Sequence, residues 1–158
     1  MEKKYFDKNI PHIFVVYIVS YDYESSHATS LGAFNTEDEA IKYCEEKQEE
    51  LDNLKNISIH NVYDVENVNS EYSKLLYEFD EYIVKKNFDY ATSSDDLSDD
   101  DYEKFLLIDE NFLDWMINVK HISKEVAEAT IKYNDNYDSG YDYYYDYEPI
   151  KLISTCSN

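Results

Sequence analysis

Four histidines (His12, His27, His60 and His121), two cysteines (Cys44 and Cys156) and 35 carboxylates are the side chains with which this chain can hold a metal ion or move a proton. The histidines fall in four separate segments, and no His-Glu-x-x-His spacing sets two of them on one helix face. Two isolated cysteines make neither a disulfide framework nor a thiolate zinc site, so both read as free thiols. Asp95-Asp96 and Asp99-Asp100-Asp101 offer oxygen to a hard cation, but a calcium loop needs glycine at its sixth position. A loop started at Asp135 places Gly140 there, yet puts Tyr137 at a ligand position and Asp146 where the closing glutamate belongs. The only glycines, Gly32 and Gly140, build no nucleophile elbow, phosphate loop or dinucleotide fingerprint. No catalytic residue, metal site or cofactor is therefore assigned.

The remaining chemistry is recognition. The chain has 158 residues and a formal charge of -21, and all 14 of its basic residues are lysine. Arginine is the bidentate reader of phosphate and guanine, and nucleic-acid binding rests on neutralising phosphates. A strongly negative chain without arginine is expected to bind neither nucleic acid nor an anionic membrane surface. No apolar run approaches a membrane span, and Met1-Glu2-Lys3-Lys4-Tyr5 does not open like a secretion signal. The expectation is a soluble protein of the cell interior. Eighteen tyrosines within a 43% hydrophobic composition argue for a folded core rather than a disordered acidic tail.

The elements that must position these groups follow from periodicity. Residues 12–24 are apolar on both parities at first, then alternate, which predicts a strand that begins in a sheet interior. After a turn at 25–27, residues 28–34 predict a returning strand in which Gly32 marks a bulge or a close backbone approach. Thr36-Glu37-Asp38-Glu39 is a capping box opening a helix to about Lys55, with Ala40, Tyr43, Cys44, Leu51 and Leu54 inward. Ile57, Ile59, Tyr63 and Val65 share one parity and predict a strand over 57–65. Helices are predicted over 71–86, from Ser98 through Val119, and over 123–133. The Ser/Asp stretch 91–101 lacks apolar periodicity and reads as a flexible acidic loop. Its crowded Asp99, Asp100 and Asp101 should repel one another and favour the fold at mildly acidic pH, about 5–6.

In the closing segment Tyr141, Tyr143, Tyr145 and Tyr147 share one parity, while Asp142, Tyr144, Asp146 and Glu148 share the other. This is a strand with an aromatic face and an acidic face, held to a sheet edge by Pro149. The expected fold is one α+β domain over 1–158: an antiparallel sheet of about four strands with three or four helices packed on one face.

Phe14-Val15-Val16-Tyr17-Ile18-Val19-Ser20-Tyr21-Asp22-Tyr23-Glu24, followed by Leu31-Gly32-Ala33-Phe34-Asn35-Thr36-Glu37-Asp38-Glu39-Ala40, resembles the strand, hairpin, Gly-x-Phe and capped helix of small uncharacterised proteins of large DNA viruses and phages. The resemblance covers the first third of the chain and implies a structural unit, with no activity or functional residue attached.

Together these features read as a non-enzymatic acidic module whose partner is a basic protein. Eighteen tyrosines exceed what a small core absorbs, and exposed tyrosine among carboxylates suits a contact surface. The residues expected to carry it are Asp22, Glu24, Asp142, Tyr143, Tyr145, Asp146 and Glu148. Acids at i and i+2 on a strand stand about 6.6 Å apart. Such a ladder gives the sharper form of the reading, a nucleic-acid mimic that blocks a basic DNA- or RNA-handling protein, as anti-restriction and anti-CRISPR proteins do. The alternative is a structural or assembly protein that uses its Tyr-rich edge strand for protein contacts.

Overall fold

The computed structural model describes residues 1–22, 24–63, 66–138 and 141–153. In chain order the elements are β1 (His12–Tyr21), β2 (Ser26–Phe34), α1 (Glu37–Ile57), β3 (Val62–Tyr63), β4 (Val68–Asn69), α2 (Glu71–Asn87), a 3-10 turn (Ser94–Asp96), α3 (Asp99–Phe105), α4 (Phe112–Asn118), α5 (Lys124–Asn136) and β5 (Asp142–Lys151). The architecture is α+β. Its residues group into two compact units, Met1–Asn53 with Tyr141–Asn158, and Leu54–Gly140.

The first unit is a three-stranded antiparallel sheet in the order β2-β1-β5. β1 takes the centre because both of its faces are apolar. Phe14 and Val16 point inward and join Ala40 and Cys44 of α1 and Tyr147 of β5 in one buried cluster. Ile13, Val15, Tyr17 and Val19 line the opposite, outer face and are half-buried. The pairing of β1 with β2 slips between Val16 and Tyr17, from Gly32 to Ser30, so Leu31 is the extra residue of a bulge. Nothing lies within 4 Å of where a Gly32 side chain would begin, so the bulge, and not a close approach, accounts for that segment.

Thr36 starts α1 as its spacing predicts. Its hydroxyl accepts the Glu39 amide at 3.3 Å and donates to the Glu39 carboxylate at 2.8 Å. Glu39 thus meets the hydroxyl rather than the Thr36 amide, a variant of the expected box.

The second unit has its own core, in which Leu75, Trp115, Met116 and Ala127 are buried against Phe79, Tyr82 and Phe112. The Trp115 ring stacks on Phe112 at 5.8 Å and tilts against Phe79 at 5.2 Å.

Among the described residues the main sheet has three strands, not about four, because 57–63 does not enter it. α1 runs on to Ile57, and among the described residues of that segment Val62–Tyr63 pairs with Val68–Asn69 in a ladder of its own. The reason lies in α5. The Ile59 amide donates to the Thr130 hydroxyl at 2.9 Å, and its carbonyl accepts from the Asn134 side chain at 2.9 Å. With both backbone groups held by helix side chains, Ile59 has none left for a strand partner. Val65 lies outside the described residues.

The helices contribute to both cores. α1 supplies the buried partners of the inner face, whereas α2, α4 and α5 surround the second core.

The helix expected from Ser98 through Val119 is two. α3 ends in a tight turn at Leu107 and Ile108, and the Asn111 side chain accepts the Asp114 amide at 3.0 Å to start α4. The stretch 91–101 also holds hydrogen bonds, within itself and to α2. Ser93 and Asp96 form a reciprocal cap around the 3-10 turn, and the Ser94 amide donates to Asp80 at 2.9 Å.

Candidate functional site

The two parities of β5 do different work. Tyr147 is fully buried on the inner face. Its hydroxyl donates to Glu37 at 2.7 Å and accepts the Lys4 amide at 2.9 Å, while that amide also reaches Glu37 at 3.0 Å. Burial and the Glu37 carboxylate together push the phenol up to about 12. Tyr145 packs beside the same cluster, and Tyr143 is half-buried on the same parity. The register with β1 sets Tyr145 and Tyr147 opposite Ile18 and Val16, which brings Tyr145 to the cluster that holds Ala40 and Cys44 of α1.

The acidic face is the outer one. Asp142 and Glu148 are exposed there. Asp146 is half-buried and committed, since its carboxylate meets the Lys4 ammonium at 2.7 Å with that ammonium 5.1 Å from the Tyr147 ring centre. The ladder of carboxylates on β5 is therefore shorter than its sequence suggests.

Asp22 and Glu24 do not form a second row. β1 ends at Tyr21, and Asp22 makes the turn that follows. Its carboxylate accepts the Glu24 amide at 2.8 Å, the Ser25 amide at 2.6 Å and the Ser25 hydroxyl at 3.0 Å. These bonds to the charged form, the Glu24 and Ser25 amides first, hold its pKa below the ordinary 3.8. Glu24 is exposed, and Tyr23 lies outside the described residues.

What the register brings together is a pair that the sequence analysis did not select. Tyr21 is opposite Asp142 and Tyr144 is opposite Val19, which makes the two tyrosines diagonal neighbours on the outer face. Their rings meet edge to face, centroids 5.8 Å apart, and they stay 43% and 41% exposed. They line an open depression of about 530 Å³ together with Asp22, Glu24, Ser25 and Ser26. Two aromatic rings beside carboxylates suit an alkylammonium or guanidinium, which gains from ring faces and from charge at once. The signal lies in strand order: Tyr144 shares the parity of the acids, and which neighbour it meets depends on β5 pairing with β1.

Other reactive groups lie elsewhere. Cys44 is buried in the inner core, and burial, reinforced by the negative Asp146, pushes its thiol up to about 11, so it is protonated at neutral pH. Cys156 lies outside the described residues. The His60 ring tilts against Tyr133, centroids 4.8 Å apart, in the second unit. Among the described residues no three His, Cys, Asp or Glu side chains converge as metal ligands, and no helix is long and apolar enough to cross a membrane.

The outer edge of β5 bears on strand addition. The Tyr145 amide donates to the Gln48 side chain at 3.0 Å, the Tyr147 amide to Asp146 at 2.8 Å, and Pro149 has none to give. From Tyr145 onward, a strand added at this edge would have to displace bonds already made.

Asp96 and Asp101 share the downward shift of Asp22. The first is held low by Thr92 and Ser93, the second by Lys104 and Tyr90. This reverses the sign expected from crowding at Asp101. A carboxyl whose folded pKa is depressed stabilises fully above its unfolded value and loses that contribution as pH falls through the folded value. The melting temperature is expected to hold from pH 7 to about 5 and to fall below about pH 4. A melting temperature that climbs between about pH 7 and 5.5 would show like-charge repulsion to be the larger effect.

No known protein-family model, curated protein or solved structure matches this chain.

Proposed function

We propose that this chain is a non-catalytic acidic binding module that engages a basic protein through the outer face of its sheet. The observation that carries this reading is the exposed Tyr21–Tyr144 pair set in a depression with Asp22 and Glu24. Aromatic rings supply contact area at little conformational cost, and the surrounding carboxylates select the sign of the partner. Asp142 and Glu148 extend the negative field along β5, and the net charge of -21 steers encounter from a distance.

The nucleic-acid mimic is the narrower form of this proposal, with a DNA- or RNA-handling protein as the basic partner. The outer face favours the broader form, because Asp146 is held by Lys4 and Asp22 by its own turn. Neither stands free in a regular ladder.

Salt decides the matter. Association with a basic protein of known charge, measured by calorimetry between about 50 and 500 mM salt, should weaken by at least tenfold across the series. Binding that is indifferent to salt, or a partner that is not basic, would overturn the reading.

A further inference from the structure

β2 is the second edge of the sheet, and it differs from β5 in every respect that protects an edge. Its nine residues, Ser26–Phe34, are exposed at every position except Phe34. They include no charged residue and no proline, although 31% of the chain is charged. Natural edge strands are commonly defended by lysine, proline or a covering element. The bulge at Leu31 interrupts only the end of β2 nearest Phe34.

The free backbone groups of β2 can be assigned. Tyr145 and Tyr147 give their amides to side chains, so their partners Ile18 and Val16 do not bond β5 and turn toward β2. Thr29, opposite Ile18, therefore bonds inward, and by alternation Ser26, Ala28 and Ser30 direct their amides and carbonyls outward. Their side chains stand on the outer face and are small. Among the described residues no strand pairs with this edge, so a strand added about 4.8 Å away would find partners there, with room for its own side chains on that face. At the Ser26 end this line runs into the depression of Tyr21, Asp22, Glu24 and Tyr144.

We propose that the free edge of β2 is a strand-addition site for an extended segment of the basic partner, with a lysine or arginine of that segment seated in the depression beside Ser26. The proposal rests on the acidic-module reading and supplies its docking mode. Charge selects the occupant: a second copy would bring another -21 to the contact, whereas a basic segment is attracted to it.

The test uses the full chain and a synthetic octapeptide of alternating lysine and valine, with binding read by calorimetry and fluorescence anisotropy. A second octapeptide is methylated at every backbone amide, which keeps its charge and abolishes strand pairing. Ser30→Pro removes one outward amide of β2 that no bond within the sheet uses. The plain peptide should bind, and the methylated peptide and the Ser30→Pro chain should each weaken binding at least tenfold. Equal binding by both peptides overturns strand addition and leaves the acidic module standing if salt still weakens the complex. Absence of binding by the plain peptide also overturns it. If Ser30→Pro fails to fold, the comparison of the two peptides decides alone. Light scattering that finds a dimer of the parent, lost in Ser30→Pro, would assign the edge to a second copy and overturn the choice of partner.

Discussion

Replacing Tyr147 with alanine is expected to destabilise the sheet unit by about 3–5 kcal/mol, the range for deleting a buried aromatic side chain. Tyr147 is fully buried, lies 6.4 Å from the Phe14 ring, and closes the contact between β5 and α1. Its hydroxyl also serves two groups, Glu37 and the Lys4 amide. The alanine variant therefore opens a cavity and removes a donor from a carboxylate in one step. Tyr147→Phe separates the two effects. The ring stays, and the Lys4 amide keeps its second acceptor in Glu37, so the cost should be about 1 kcal/mol, that of one hydrogen bond. Urea unfolding with an unchanged slope measures both. A phenylalanine cost equal to that of alanine would mean that the polar node, and not the packing, holds β5 to α1.

Local chemistry was the legible part of this fold. The Thr36 cap, the stripe of Ala40 and Cys44 and the two apolar parities of β1 each depend on neighbours in sequence; the stripe and the parities form as their patterns imply, and the cap forms in a variant of the expected box. The errors arose where partners are distant. Ile59 has the composition of a strand residue, but Thr130 and Asn134, far along the chain, take its backbone bonds. The break between α3 and α4 rests on Asn111 acting as a cap inside a run whose helical spacing looks unbroken. The candidate site follows the same division. Parity separates the tyrosines of β5 from its acids, but which of those tyrosines packs against α1 depends on the register. The pairing of Tyr21 with Tyr144 needs the register of β1 against β5, which periodicity within either strand does not contain.

The second large effect concerns that pair. Tyr21→Ser together with Tyr144→Ser should leave the melting temperature nearly unchanged, because both rings are exposed and the inner core does not include them. Binding to a basic partner should fall by at least thirtyfold, which corresponds to the roughly 2 kcal/mol that marks an interface hot spot. Most of the loss is expected in faster dissociation, since ring contacts form only after docking. Glu24→Gln with Glu148→Gln should act on the other rate. Both carboxylates are exposed, and removing them weakens the long-range field, so association should slow while dissociation changes little. Surface plasmon resonance resolves the two rates in one experiment. Should the serine variant bind as the parent does while the glutamine variant still loses association rate, the aromatic pair is no part of the contact, and the acids alone carry recognition.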